Sequence, residues 1–194
     1  MQDYAVIKSL IDTLRHPDDG VRFDAILELR KLIDVRATED LISILYDAES
    51  ISPEHFDDLR FEVTNLILQC GPPAIHRLAF EVESENQRVR ETVAYSLQSA
   101  GEPALAGLMR ALLNEDKRIS LLARNTFAEI GEAAIPYLAA ILNNSSPNVR
   151  LEALRTICML LEDEAKPYAG ALVNDPDNQV RSLAQDLIAS LSER

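Results

Sequence analysis

Asp177-Asn178-Gln179-Val180-Arg181-Ser182-Leu183-Ala184 decides the fold, because its pattern recurs along the chain. The pattern is an apolar residue, usually followed by Arg, with a small or β-branched residue at +4 and a large apolar one at +8. It reads Val21-Arg22…Ala25…Leu29, Leu59-Arg60…Val63…Ile67 and Val89-Arg90…Val93…Leu97. It returns as Ile119-Ser120…Ala123…Phe127, Val149-Arg150…Ala153…Ile157 and Val180-Arg181…Ala184…Ile188. The anchors are 38, 30, 30, 30 and 31 residues apart. Apolar residues at 0, +4 and +8 mark one face of an α-helix.

A second phrase fills the intervals: Gly71-Pro72-Pro73-Ala74-Ile75, Gly101-Glu102-Pro103-Ala104-Leu105 and Gly131-Glu132-Ala133-Ala134-Ile135. Gly after one helix and Pro at the start of the next is the expected end-and-start asymmetry. Each phrase runs on as an amphipathic stripe: Ile75, Leu78, Val82; Leu105, Leu108, Leu112; Ile135, Leu138, Leu142. The last interval drops the Gly for Leu161-Glu162-Asp163-Glu164 but keeps Pro167-Tyr168 in step with Pro136-Tyr137. Each repeat is therefore a helical hairpin, A then B, and no segment competes for strand.

The phrase Asp-x-x-x-Val-Arg-x-x-Ala resembles a HEAT repeat, and the short period with Gly-x-Pro-Ala-Leu resembles the subtype named after phycobilisome lyases. The resemblance implies an all-α fold, a right-handed α-solenoid of about six HEAT-like helical hairpins and about 12 helices. It covers a single domain, 1–194, with repeats near 1–33, 34–70, 71–100, 101–130, 131–161 and 162–194. A hairpin of this size cannot bury its apolar face alone, so neighbours stack into one continuous core. The resemblance also implies an arginine ladder, in which Arg22, Arg60, Arg90, Arg150 and Arg181 reach acids of adjacent repeats. The candidate acids are Asp18, Asp57, Asp116 and Asp177, and Ser120 breaks the row. Asp18, Asp116 and Asp177 also suit N-caps of their own B helices.

Composition narrows function. The 194 residues include 32 Asp+Glu against 19 Lys+Arg, a formal net charge of -13. Nucleic-acid binding requires a basic surplus, so no nucleic-acid partner is expected. The longest apolar stretch, Ala133–Leu142, is too short to span a bilayer, and the polar Met1-Gln2-Asp3-Tyr4 leads to the expectation of no signal peptide. Cys70 and Cys158 lie inside helical stripes and read as buried free thiols in a reducing compartment, which predicts a cytoplasmic protein.

In HEAT arrays the B helices line the concave face, and positions +2, +3, +6 and +10 point there. The partner-binding candidates are Phe23, Asp24, Phe61, Glu62, Glu91, Tyr95, Leu121, Glu152, Arg155 and Met159, with Leu151 at the same register. Apolar groups rimmed by charge suit a protein partner. Affinity would come from the aromatic and aliphatic members, and selectivity from Asp24, Glu62, Glu91 and Glu152. The HEAT-like hydroxylase of the hypusine pathway carries His-Glu pairs at +2 and +3, whereas here these positions contain no His, since the three His are 16, 55 and 76. The HEAT-like DNA glycosylases need a basic groove, and among the inner positions only Lys31 and Arg155 are basic. No nucleophile–base pair or Gly-rich phosphate loop is present. Asp18-Asp19 and Asp57-Asp58 fall at B-helix starts, where acids favour the helix dipole.

The expectation is a non-catalytic interaction scaffold or adaptor with no catalytic residues, no metal and no cofactor. The alternative, resting on the repeat subtype alone, is a bilin lyase or lyase-related factor of phycobiliprotein metabolism. Residues 1–70 hold 15 acids and 7 bases, which implies a partner carrying a basic segment or simply a solvated surface. Two features stay open. Residues 47–56 carry about seven extra residues, either a loop extension or a binding edge, with Ser52-Pro53-Glu54 reading as N-cap, N1 and N2 of a lengthened B helix. The final helix has a second stripe, Leu183, Leu187 and Leu191, either a wide core face or a surface for self-association.

Overall fold

The computed structural model describes residues 4–51 and 54–190. Its contacts divide the chain into two compact units, residues 1–107 and 108–194. In each unit the fold is an all-α helical-repeat solenoid built from A–B hairpins, with no strand among the described residues. The first unit contains α1 (Tyr4–Thr13), α2 (Asp19–Leu32), α3 (Thr38–Ile51), α4 (Phe56–Gln69), α5 (Pro72–Ala79) and α6 (Gln87–Leu97), and the division falls inside α7 (Glu102–Leu112). The second contains α8 (Lys117–Ile130), α9 (Ile135–Ile141), α10 (Pro147–Leu161), α11 (Lys166–Leu172) and α12 (Asn178–Ser190).

The packing follows the repeated phrase. Position +4 (Ala25, Val63, Val93, Ala123, Ala153, Ala184) is buried in all six B helices, and position +8 in all but the last. Small residues at +4 let neighbouring B helices approach, so α4 packs on α2 and α6, and α10 on α8 and α12. The A-helix triplets Ile75/Leu78/Val82, Leu105/Leu108/Leu112 and Ile135/Leu138/Leu142 are buried throughout. Burial of one such aliphatic side chain contributes ~1.5–3 kcal/mol, which is what holds short helices such as the eight-residue α5. The Thr64 and Ser96 hydroxyls meet at 2.8 Å between α4 and α6, satisfying two buried polar groups at once.

The turns obey the cap chemistry. Asp18, Asn86, Asp116 and Asp177 accept backbone N–H bonds at the starts of α2, α6, α8 and α12. Gly71, Gly101 and Gly131 hold φ of +89°, +68° and +67° between B and A helices. Glu162, which occupies that turn in the last interval, is forced to φ 47°.

Two local arrangements differ from the sequence expectation. The extra residues of 47–56 lengthen the A helix, not the B helix. The buried stripe Leu41, Ile44, Leu45 and Ala48 continues to hold α3 down, and α4 begins only at Phe56, with His55 in its N-cap position. Glu54 lies in a turn, and Ser52 and Pro53 lie outside the described residues.

The arginine row also has different partners. Arg22, Arg90, Arg150 and Arg181 each direct Nη1 to the two carbonyls five and six residues earlier, in the loop entering their own B helix. Four of the five arginines are buried, and the exception is Arg181, half-buried. A guanidinium presents several donors in a fixed fork, so one side chain ties both loop carbonyls to the helix. A rung between repeats forms at Arg150, which holds Asp175 through Nε and Nη2 at 2.8 and 2.7 Å. Because α3 is longer, Arg60 instead donates Nε to Leu45 O at 2.9 Å. Among the described residues its Nη1 and Nη2 have no hydrogen-bond partner, with Asp57 at 3.6 Å, Glu49 at 3.9 Å and the Phe56 ring 5.1 Å from its guanidinium carbon.

Candidate functional site

The B helices of the first unit bury their +4 and +8 residues, with Leu59 and Val89 buried at position 0 and Val21 exposed, and turn much of the +2, +3 and +6 register outward. On α2 this exposes Phe23 (56%), Asp24 and Leu27; on α4, Phe61 (41%); on α6, Glu91 and Tyr95 (62%). Glu62 is half-buried. Large aromatic rings so exposed, one on each of three consecutive B helices, are not core. The Phe61 and Tyr95 rings stand 6.0 Å apart, tilted by 50°. Such a spacing suits an aromatic pair and leaves parts of both faces open.

Two clefts lie along this face. Between α2 and α4 a cleft of about 270 Å³ is lined by buried Ile26 and Leu59, exposed Phe23, the acids Asp19, Asp58 and Glu62, and Arg22 and His55. Between α4 and α6 a second cleft of about 320 Å³ is lined by Asp57, Asp58, Phe61, Arg88, Glu91, Thr92 and Tyr95. Asp58 lines both. Most rim acids are engaged: Asp19 by Arg22 and His55, Glu62 by Arg30, Asp57 by Arg88 at 3.3 Å, and Glu91 by Gln87 at 2.8 Å. Asp58 and Asp24 have no partner among the described residues.

The second unit uses the same register differently. Leu121 is exposed on α8, and Arg155 and Met159 on α10, but Leu151 is 7% exposed and belongs to the core. Glu152 is not free for a partner, since Arg155 holds it at 2.6 Å and Arg124 stands at 3.5 Å. A cleft of about 330 Å³ there is lined by Leu113, Ser120, Arg124, Leu151 and Glu152 among others, with charges of both signs. Leu183 and Leu187 of α12 are half-buried, and Leu191 lies outside the described residues.

Reasoning from sequence missed Ile26, Leu59, His55 and Asp58 as cleft residues. Asp58 was legible only as a first-turn acid, which it also is. Burial pushes the Cys70 and Cys158 thiols up from the ordinary range, so both are poor nucleophiles at neutral pH. Among the described residues no group of three or more His, Cys, Asp or Glu is placed to hold a metal ion. Among the described residues, too, no helix is long and apolar enough to cross a membrane.

No family model and no curated protein sequence matches the chain. Among solved structures, an engineered protein from a structural-genomics consortium aligns over 96% of this chain and 96% of its own, at 16% identity and a TM-score of 0.39. A designed armadillo repeat protein in complex with a (KR)4 peptide aligns over 95% and 99%, at 16% identity and a TM-score of 0.35. Human deoxyhypusine hydroxylase in complex with glycerol aligns over 97% and 96%, at 18% identity and a TM-score of 0.30. Superpositions this loose carry no inference about activity, which has to come from the residues themselves.

Proposed function

We propose that this protein is a non-catalytic interaction scaffold or adaptor of the HEAT-repeat kind, in the short subtype similar to that of phycobilisome lyases. Its partner protein lies across the B helices of the first unit, on Phe23, Phe61 and Tyr95, with Asp24, Glu62 and Glu91 at the edges. The observation that carries this reading is the exposure of one large aromatic ring on each of α2, α4 and α6. Rings of this kind dominate interface energetics, because each brings a large rigid area at little entropic cost. Leu121, Arg155 and Met159 form a smaller surface of the second unit. The test is affinity capture from native lysate with the wild-type chain and with a Phe61→Ala, Tyr95→Ala double variant. Both side chains are exposed, so the variant keeps its helicity and unfolding midpoint. Loss of the captured protein supports the placement, and an unchanged capture profile removes it.

A further inference from the structure

We propose that the two clefts flanking α4 receive successive lysine or arginine side chains of an extended basic segment in the partner, and that Asp58 serves both. This rests on the reading of the B-helix face as a protein-binding surface and specifies the chemistry of its ligand. The first cleft has a buried apolar floor (Ile26, Leu59) with the exposed Phe23 ring and the acids Asp19, Asp58 and Glu62 around it. Lysine and arginine have that composition, an aliphatic stem ending in a cation. A leucine would fill the floor but strip water from the rim acids without pairing them. An aspartate or glutamate would meet like charge.

The rim acids differ in how far they are engaged. The acids around Asp58 already have cationic or amide partners, whereas the Asp58 carboxylate has none among the described residues. It stands where the two clefts meet, with the first lined by Phe23 and the second by Phe61 and Tyr95. The open faces of these rings add attraction for a cation lying over them. Arg22 is buried against loop carbonyls and Asp19, Arg60 is buried with Nε on Leu45 O, and neither forms an ion pair with Asp58 among the described residues. Packed helices lie about 8–10 Å apart. A polyproline-type segment advances about 3.1 Å per residue with three residues per turn, so side chains at i and i+3 share one face about 9 Å apart. Basic residues at every third position therefore match one cation per cleft.

The probe is a fluorescein-labelled peptide of about four Lys-Pro-Pro triplets, compared with Ser-Pro-Pro and Glu-Pro-Pro peptides of equal length by fluorescence anisotropy. The expected result at about 50 mM salt is binding of the lysine peptide alone, weakened at about 500 mM. Asp58→Asn should weaken it about two- to fivefold and Asp58→Lys about tenfold or more. Glu164→Gln, an exposed acid of the second unit, should leave it unchanged. Circular dichroism confirms that the Asp58 variants fold, as an exposed side chain allows. The inference is overturned if the serine peptide binds as tightly as the lysine peptide. It is equally overturned if Glu164→Gln weakens binding as much as Asp58→Asn, which would reduce the effect to net charge. Self-association that excludes the peptide makes a second copy the occupant and also overturns it. If the lysine peptide fails while the Phe61→Ala, Tyr95→Ala variant still loses its captured protein, the basic-segment inference falls and the interaction surface stands.

Discussion

Gly107 and Gly170 offer the same substitution with opposite expected results. Both lie inside helices, α7 and α11, where replacing Gly by Ala favours the helix by about 0.5–1 kcal/mol. They differ in what a methyl group would meet. At Gly170 an added Cβ finds nothing within 4 Å. At Gly107 it would stand 2.5 Å from Ala79 Cβ, 3.1 Å from Ala79 C and 3.3 Å from Ala79 Cα. Carbon atoms rest at about 3.5–4.0 Å, so α7 would have to move off Ala79 by roughly 1 Å. Two of the three atoms are backbone, and no rotamer change relieves them. Overpacking of this kind costs about 1–3 kcal/mol, which outweighs the helix gain. Gly170→Ala is expected to stabilise by about 0.5–1 kcal/mol, and Gly107→Ala to destabilise by up to about 2 kcal/mol. At about 2–4 °C per kcal/mol, the midpoint rises by about 1–4 °C for the first and falls by up to about 8 °C for the second. Repeat arrays can unfold in parts, so each variant is compared with the wild type across the transition of its own unit, by far-UV circular dichroism in heat and in urea. A Gly107→Ala protein at least as stable as the wild type refutes the close approach of α7 to Ala79.

Glu162 stands at φ 47°, ψ −116° in the turn where three of the other intervals place Gly71, Gly101 and Gly131. Strain of about 1–3 kcal/mol at such a position exceeds the roughly 0.5–1 kcal/mol entropic penalty of Gly. Glu162→Gly is therefore expected to raise the unfolding midpoint, and a lowered midpoint contradicts the strain. Asp175 is held below the usual carboxylate value of 3.8, chiefly by its hydrogen bonds from Arg150. A depressed carboxylate stabilises the fold above its unfolded value and loses that contribution as pH falls through the folded one. The wild type should thus lose urea resistance below about pH 4, whereas Asp175→Asn should be weaker at neutral pH and flatter on the acid side. Parallel pH profiles for the two proteins count against the coupling.

The helical repeat was legible because its code is short-range. The +4 position faces a neighbouring helix whatever else the chain contains, and all six +4 residues are buried. The partners of the arginines were hidden for a physical reason. Arg22, Arg90, Arg150 and Arg181 donate to backbone carbonyls, and a carbonyl has no letter in the sequence, while nearby Asp residues do. The extent of α3 was obscured by Ser52-Pro53, which imitate a helix start although the buried stripe through Ala48 carries α3 on to Ile51. Exposure within one register was hidden as well. Phe61 and Leu151 both stand at +2, yet only Phe61 reaches solvent, because the register fixes a direction and the neighbouring helix decides whether it is covered.

The outer surface of the B helices is where packing stops dictating sequence, and that gives its chemistry meaning. Stacking fixes +4 as Ala25, Val63, Val93, Ala123, Ala153 and Ala184, small or β-branched in every repeat. It places no comparable demand on +2, which runs Phe23, Phe61, Glu91, Leu121, Leu151 and Ser182. If the exposed rings were merely tolerated, nothing would require them to cluster in one unit beside carboxylates. In the first unit they do cluster, and acids surround them while the internal arginines are used to fasten loops. Arg30 and Arg88 are already paired with Glu62 and Asp57, and Arg22 with Asp19. An apolar row kept soluble by acids, with its local cations already engaged, leaves both hydrophobic area and negative charge to be completed from outside. A partner that supplied only apolar surface would desolvate carboxylates without compensation, so shape and charge together select a ligand that carries both.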